Sequence, residues 1–395
     1  MSDPATLTSI VDGESRAGDA LRARDPASIA ASVADAWRAV REDDRGLRAA
    51  IARSSGLSEA GVAWGLETTL DDLDEQLARA AAAVASVPHE PARLGALVLA
   101  GNVFSAAVAP LSFALLARVP IVAKASTKDD SLPRAFAESL AAIDPELARA
   151  CAVVSFAGGE VDAEAALLER ARIVVAYGSD ATMDAIRARA PSDAAFVGHG
   201  HGLGVGVIRA DARVRLTELA RAFAVDVAAY DQRGCLSPHA IVVEGDLARA
   251  RAFAVALVDA LDALEATLPR GELPLSVGAS QLAWRGLAAT RGELFEARRA
   301  AVAVDHDPAA IAPSPGWRNV RVIAAPTAEA IAGRLASLGG YLKALGLAGS
   351  PLALAAGVVP RVAEPGAMQR PRLTDPHDGD LPWQDWLRIS ASSVG

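Results

Sequence analysis

Cysteine occurs twice in these 395 residues and lysine three times, and aromatic side chains make up 4% of the chain. Two cysteines exclude a disulfide framework, and no four-ligand cysteine or histidine cluster suggests structural zinc. Excess positive charge is missing too. A net charge of −9 and a pI near 5.3 leave no electrostatic footprint for nucleic acid or an anionic membrane surface. The dinucleotide fingerprint G-x-G-x-x-G is absent, which disfavours an ordinary Rossmann dehydrogenase. The opening MSDPATLTSIVDGESR has neither a basic start nor an apolar core, so no export signal is expected and the cytoplasm is the expected location.

One long uncharged run is present. Between Arg93 and Arg118 lie 24 residues without charge, enough to cross a bilayer. Their punctuation argues for another reading. LGALVLAG is strand-like and stops at Gly101-Asn102; FSAAVAPLSFALLAR follows with a helical pattern and Pro110 early in it; PIVAKAS opens a second strand at Pro120. Strand, turn, helix, strand is a parallel βαβ unit buried on both faces, not a membrane span.

The 52% apolar content with 22% charge suits a well-packed protein, and the length suggests more than one domain. Residues 1–90 have helical periodicity, with start signals at Asp25-Pro26 and at Thr69 with Asp71-Asp72. From 91 to 207, GALVLAG, IVAKA, CAVVSFAGG, ARIVVAYG and GVGVI read as strands separated by helix-length connectors, the pattern of a doubly wound parallel sheet. Residues 208–355 read as a second α/β domain, and 356–395 as a tail rich in Pro, Gly and charge. The tail's LPWQDWLRIS looks like an amphipathic segment docking two tryptophans.

Ligands on such sheets bind beyond the carboxyl ends of the strands. Asn102, Lys124 to Ser126, Gly158-Gly159 and Gly178-Ser179 all fall there. Against 36 arginines, a lysine at the end of a buried strand is chosen for its compact ammonium, and Lys124 and Lys128 stand together at such an end. Gly178-Ser179, between a strand and a helix, suits approach to a phosphate at a helix N-terminus, although any tight turn uses such a pair. A lone cysteine is ordinarily a small core residue, which is the expectation for Cys151. Cys235 has a different setting: YDQRG before it, Ser237-Pro238 after it, then the apolar run Ala240 to Val243.

Asn102, a lysine 22 residues on, Gly-Ser 54 beyond that and a cysteine 57 past the glycine stand in a recognisable order. The chain resembles the aldehyde dehydrogenase superfamily, and within it the LuxC-type acyl-CoA reductases. AYDQRGCLSP resembles that family's nucleophile motif, AGNVF its asparagine motif, and EPGAMQRPRLTDPHDG its C-terminal signature. The resemblance implies an aldehyde-dehydrogenase-like fold: a cofactor domain, a catalytic domain carrying the cysteine, a helical N-terminal region, and the tail packing near the active site.

It implies Cys235 as nucleophile and Asn102 as the oxyanion amide, acting with the Cys235 backbone N–H. Lys124 and Ser126, with Gly159, Gly178 and Ser179, would line the nicotinamide site. Thr127 replaces the glutamate that holds a ribose 2′-hydroxyl in hydrolytic members; with Lys128 beside it, NADPH is favoured. Met183 replaces a second glycine of the turn motif. The water-activating glutamate of hydrolytic members falls near GHGHG, so His199 or His201 stands there, either as an acid/base group, with His201 the candidate, or as an incidental imidazole in a glycine-rich turn.

The implied activity is NADPH-dependent reduction of a long-chain fatty acyl-CoA to the aldehyde through an acyl-cysteine thioester. Implied partners are the acyl-CoA, an acyl-protein synthetase or acyl carrier protein, and further copies of the chain. A cysteine acyltransferase or thioesterase without redox chemistry is the alternative, since it would need Cys235 but neither Lys124 nor the Gly178 turn. A catalytically dead binding partner is disfavoured by Asn102, Lys124 and Cys235 standing together.

Overall fold

The computed structural model describes residues 4–42, 46–306, 310–358 and 360–388. The outer ends of the tail and of the N-terminal region, Ile389 and Ser390 of the tryptophan segment among them, lie outside the described residues. Five helices open the chain: α1 (Pro4–Arg22), α2 (Pro26–Glu42), α3 (Leu47–Ser55), α4 (Glu59–Leu70) and α5 (Leu73–Ser86). Asp25 caps α2 through the Ser28 N–H. Thr69, read as a start signal, instead lies in the last turn of α4, and Asp72 precedes α5 in a left-handed conformation without a side-chain cap bond.

The 24-residue uncharged run resolves into β1 (Gly95–Val98), a 3₁₀ turn, and α6 (Val108–Leu116), before β2 (Ile121–Ala125). Among the described residues no helix is long and apolar enough to cross a membrane. There follow α7 (Ser131–Ile143), α8 (Pro145–Ala148), β3 (Cys151–Ser155), α9 (Val161–Leu168), β4 (Ile173–Tyr177), α10 (Asp180–Arg189) and β5 (Ala195–His199). The five strands form a parallel sheet in the order β3-β2-β1-β4-β5. Residues alternate between its faces. Leu97, Ile121, Ala123 and Val175 pack against α2, α5 and α6, while Ala96, Val98, Val122 and Val174 pack against α1, α9 and α10. Burial on both faces explains the near-continuous apolar runs.

A second sheet gathers β6 (Leu203–Ile208), β7 (Pro238–Glu244), β8 (Gly292–Glu296), β9 (Ala301–Asp305), β10 (Asn319–Ala325), β11 (Leu342–Ala348) and β12 (Arg361–Ala363), in the order β12-β11-β6-β7-β10-β9-β8. Only β8 in it runs antiparallel to its neighbour. Its faces are covered by α11 (Leu216–Ala228), α12 (Leu247–Leu264), α13 (Leu275–Arg291) and α14 (Ala328–Ala336). The GVGVI strand, expected in the first sheet, is β6 of the second, bonded to β11 and β7. The fifth strand of the first sheet is AFVGH, which periodicity passed over because only Val197 and His199 of it are buried. The chain changes sheets at Gly200–Gly202.

Candidate active site

In the first sheet the chain leaves β1 to one side and later returns on the other, so β1 and β4 flank the topological switch point. A cavity of about 1040 Å³ opens there. Its wall on one side is the carboxyl ends of the first sheet, with Gly101, Asn102, Ser126, Lys128, Tyr177 to Ser179 and His199 to Gly202. Facing them are the amino ends of the second sheet's strands, carrying Cys235 and Leu236 ahead of β7 and Lys343 near the start of β11. The tail closes a third side with Gln369, Leu373, His377 and Pro382. Pro371 and Asp375 also line it, so the signature segment sits beside the cysteine.

Cys235 is half-buried, at the end of an unusual turn. Tyr230, Asp231 and Gln232 all have positive φ, between 51° and 61°, a conformation non-glycine residues rarely adopt. Each is held. The Tyr230 hydroxyl meets Ser105 Oγ at 2.8 Å, and the Asp231 carboxylate accepts from Arg318 and from the Gly271 N–H. Gln232 donates to the carbonyls of Pro238 and Asn319 and accepts from the Asn319 N–H. Asn102 closes the loop from across the cavity, its Nδ2 donating to the Arg233 carbonyl at 3.0 Å. A primary amide has two N–H donors, so one remains for a ligand. Burial, with the Asp378 carboxylate adding to it, pushes the Cys235 thiol up to about 11, and Lys343 opposes this. Cys151 is different: it lies in the core within β3, its thiol raised by burial first and then by the Glu14 carboxylate.

The residues expected around a nicotinamide divide into two groups. Ser126, Lys128, Gly178 and Ser179 stand on the cavity wall. Gly101 has to be glycine, because a Cβ there would collide with the Ser126 hydroxyl. Ser179 caps α10 through the Thr182 N–H, and Met183, in place of the second glycine, is a core residue packed toward Gly178 and Gly198. Lys124, Thr127 and Gly159 are not on that wall. Thr127 is exposed, and Lys124 is buried with its ammonium 5.3 Å from the Phe156 ring centroid. Burial lowers its pKa against the pull of Glu164 and Glu160. Gly159, with φ 87°, donates to Glu164, so Lys124 and Gly159 share the neighbourhood of that carboxylate beside the cavity.

The two histidines of the GHGHG turn part company. His201 is exposed on the cavity rim, with no hydrogen bond to any described residue. His199 is buried, stacked between Tyr177 and His377 at 4.5 Å from each. Its Nδ1 lies 3.0 Å from Asp378 Oδ2 and its Nε2 3.0 Å from Asp385 Oδ2. Two carboxylates only accept, so both ring nitrogens carry protons and His199 is an imidazolium. Burial opposes that charge, but the bonds to Asp378 and Asp385 outweigh it and the pKa is raised. His377 goes the other way: burial, then the charge on His199, push it down to about 4. His199, His377 and Asp378 have the composition of a metal site, but both nitrogens of His199 are already engaged.

Sequence reading passed over Asp385, Tyr177 and Lys343. Asp385 sits in the 3₁₀ turn Pro382–Leu387, whose Trp383 and Trp386 are buried in the core shared with α6. Lys343 had one signal, the scarcity of lysine.

The family described as acyl-CoA reductase (LuxC) matches residues 68–389. No curated protein matches the chain. Similar solved structures include an indole-3-acetaldehyde dehydrogenase complexed with NAD+, at 14% identity and TM-score 0.79, covering 98% of this chain and 88% of the other. Aldehyde dehydrogenase 21 from Physcomitrella patens, in complex with succinate, aligns at 14% identity and TM-score 0.78 over 100% of this chain and 92% of that one. A putative methylmalonate-semialdehyde dehydrogenase from Sinorhizobium meliloti 1021, complexed with NAD, gives 14%, 0.78, 98% and 89%. At these identities the likeness is one of fold.

Proposed function

The chain belongs to the acyl-CoA reductase (LuxC) family and has the aldehyde dehydrogenase fold, and from that premise we propose that it reduces long-chain fatty acyl-CoA to fatty aldehyde with NADPH, through a thioester on Cys235. The observation that carries this reading is the turn at Gly200–Gly202. By resemblance, hydrolytic members carry a water-activating carboxylate there. This chain brings the Lys343 ammonium and an imidazolium, His199, with no nitrogen free to take a proton. An acyl-cysteine in such a site lacks the carboxylate base at that turn, where the imidazole that remains, His201, stands exposed on the rim.

In this reading the Cys235 thiolate attacks the thioester carbonyl and coenzyme A leaves as a thiolate that takes up a proton. The oxyanion is received by the free N–H of Asn102 with the Cys235 backbone N–H. The glycine turns at Gly101 and Gly178 and the amino end of α10 form a cradle that fits a dinucleotide. Lys128, Ser126 and Ser179 would hold it from the wall, with Lys124, Thr127 and Gly159 beside them. The chemistry a nicotinamide supplies when bound there is hydride for the acyl carbon. Cys235 then departs as thiolate from the tetrahedral centre, leaving the aldehyde. Ala106, Ala109, Pro110 and Leu373 give the cavity an apolar side for the acyl chain. An acyl carrier protein or acyl-protein synthetase as acyl donor, and a homo-oligomer, belong to the same reading.

Incubation with acyl-CoA of graded chain length, without NADPH, tests it. One acyl group, released by hydroxylamine, is expected on the Cys235 peptide. Cys235→Ser abolishes labelling and reduction together, and Cys151→Ser spares both. Labelling without reduction by either nicotinamide supports the acyltransferase instead; labelling at Cys151 overturns both.

A further inference from the structure

Lys343 has no part in the reading above beyond its charge, yet the fold goes to some length to place it. In the β11–β6 pairing, Leu342 is opposite Leu203 and Ala344 opposite Gly204, so Lys343 is an extra residue in the ladder. Such a bulge turns one side chain away from the regular alternation, and bulges recur beside active sites. Gly202, on the facing turn, makes the room: a Cβ at that position would collide with the Lys343 stem at Cγ. The stem is nearly buried, with 12% of the side chain exposed, and Nζ ends 2.5 Å from Asp378 Oδ1. Asp378 is itself in a left-handed conformation, φ 55°, ahead of Gly379. Its other oxygen takes the His199 Nδ1–H. One tail carboxylate thus joins the end of the first sheet to the start of the second, on the wall that carries Cys235.

The titratable groups of the cavity that Cys235 lines, and the carboxylates bonded to them, come from several elements. Tyr177 stands on β4, His199 on β5, Lys343 on β11, His377, Asp378 and Asp385 on the tail, and Arg233 in the cysteine's own loop. Around the histidine stack, Asp378 and Asp385 face the His199 imidazolium and the Lys343 ammonium, with Arg388, itself paired with Asp380, 3.9 Å from Asp385, while His377 is neutral. Removing Lys343 therefore leaves that cluster with a net negative charge beside a sulfur that must itself become negative.

We propose that Lys343 is a positioning cation of this site, aimed by the bulge and held by Asp378 to stabilise the anionic sulfur of Cys235, both before acyl transfer and when the aldehyde departs. This rests on the reading of Cys235 as the nucleophile. Where hydrolytic relatives place a carboxylate to recruit water, this chain places a charge of the opposite sign to favour the thiolate. A nearby cation favours the charged form of a thiol, and Lys343 already opposes the upward push of burial and Asp378.

The test is the pH dependence of Cys235 alkylation by iodoacetamide in the full-length protein, followed on the Cys235 peptide by mass spectrometry. Lys343→Met is expected to raise the midpoint and slow labelling at pH 8 by about tenfold, the effect of one pKa unit. Lys343→Arg is expected to keep most of the wild-type rate, and Asp378→Asn to lower the midpoint, since the opposing carboxylate is gone and the ammonium stays. A merely structural role for the pair would not move the two midpoints in opposite directions. Unchanged midpoints, or shifts of the same sign, overturn the proposal. If Lys343→Met does not fold, Asp378→Asn decides alone, a lower midpoint supporting and an unchanged or higher one refuting. Alkylation needs neither acyl-CoA nor nicotinamide, so a Cys235 that responds to Lys343 but never carries an acyl group refutes the reductase and, with it, the role of Lys343 in acyl transfer, leaving only its effect on the thiolate.

Discussion

Arg318 closes on Asp231 with two N–H···O bonds, 3.2 Å from Nε and 2.9 Å from Nη2, joining positions 87 residues apart. Both side chains are about as buried as this protein allows, at 1% and 2% exposure. Glu265 takes a third bond from the same guanidinium. The pair sits under the left-handed turn that ends at Cys235, and its first consequence is mechanical. Asp231→Ala leaves a buried guanidinium with one carboxylate partner fewer and is expected to cost about 3–5 kcal/mol, read from urea unfolding. It also frees the turn, so the Cys235 alkylation rate should change under conditions where the variant is still folded. A variant as stable as wild type would remove the clamp from the account.

Asn102→Ala removes both the bond to the Arg233 carbonyl and the donor left for the oxyanion. Turnover is expected to fall by about 10²-fold or more, with little change in acyl-CoA affinity. Steady-state kinetics separates the two, because loss confined to KM would place Asn102 in substrate binding.

The wild type is expected to prefer NADPH over NADH. Lys128 lines the wall and its side chain bonds to no described residue, whereas Thr127, beside it, is exposed and does not line the cavity. Lys128→Ala should accordingly reduce kcat/KM for NADPH and leave NADH nearly unaffected. Equal losses with both cofactors would deny Lys128 a role at a 2′-phosphate.

Glu14, on α1, is nine-tenths buried with Oε2 unpartnered, and burial pushes its carboxyl up to about 8. A folded value above the unfolded one near 4.3 means its contribution is fully present below pH 4 and is lost as pH rises to about 8. Glu14→Gln, which keeps the shape without the titration, should gain on wild type steadily as pH rises from about 4 to about 8.5. Thermal melts across that range check this, and parallel curves would refute it.

Much of the first sheet was legible because parallel strands covered on both faces read as continuous apolar runs, as GALVLAG, IVAKA and ARIVVAYG do. The exchange of AFVGH for GVGVI as the fifth strand has the same cause. GVGVI is wholly buried and AFVGH, at the sheet edge, is not, so hydrophobicity ranks them in the wrong order. Which sheet a strand joins is decided by hydrogen-bond partners far along the chain, and periodicity carries no trace of them.

The cysteine in its polar loop, the asparagine after the first strand and the glycine turns are local signals, since each depends on neighbours within a few residues. The sequence by itself determined these, along with two α/β sheets and the absence of a disulfide framework. Only the tertiary structure decided that His199, Lys343, Asp378 and Asp385 form one charged cluster, that His199 and not His201 holds carboxylates, and that Lys124 turns toward Glu164. Charge state and direction are properties of what surrounds a side chain, and here the surroundings come from two sheets and a tail that meet only when the chain has folded.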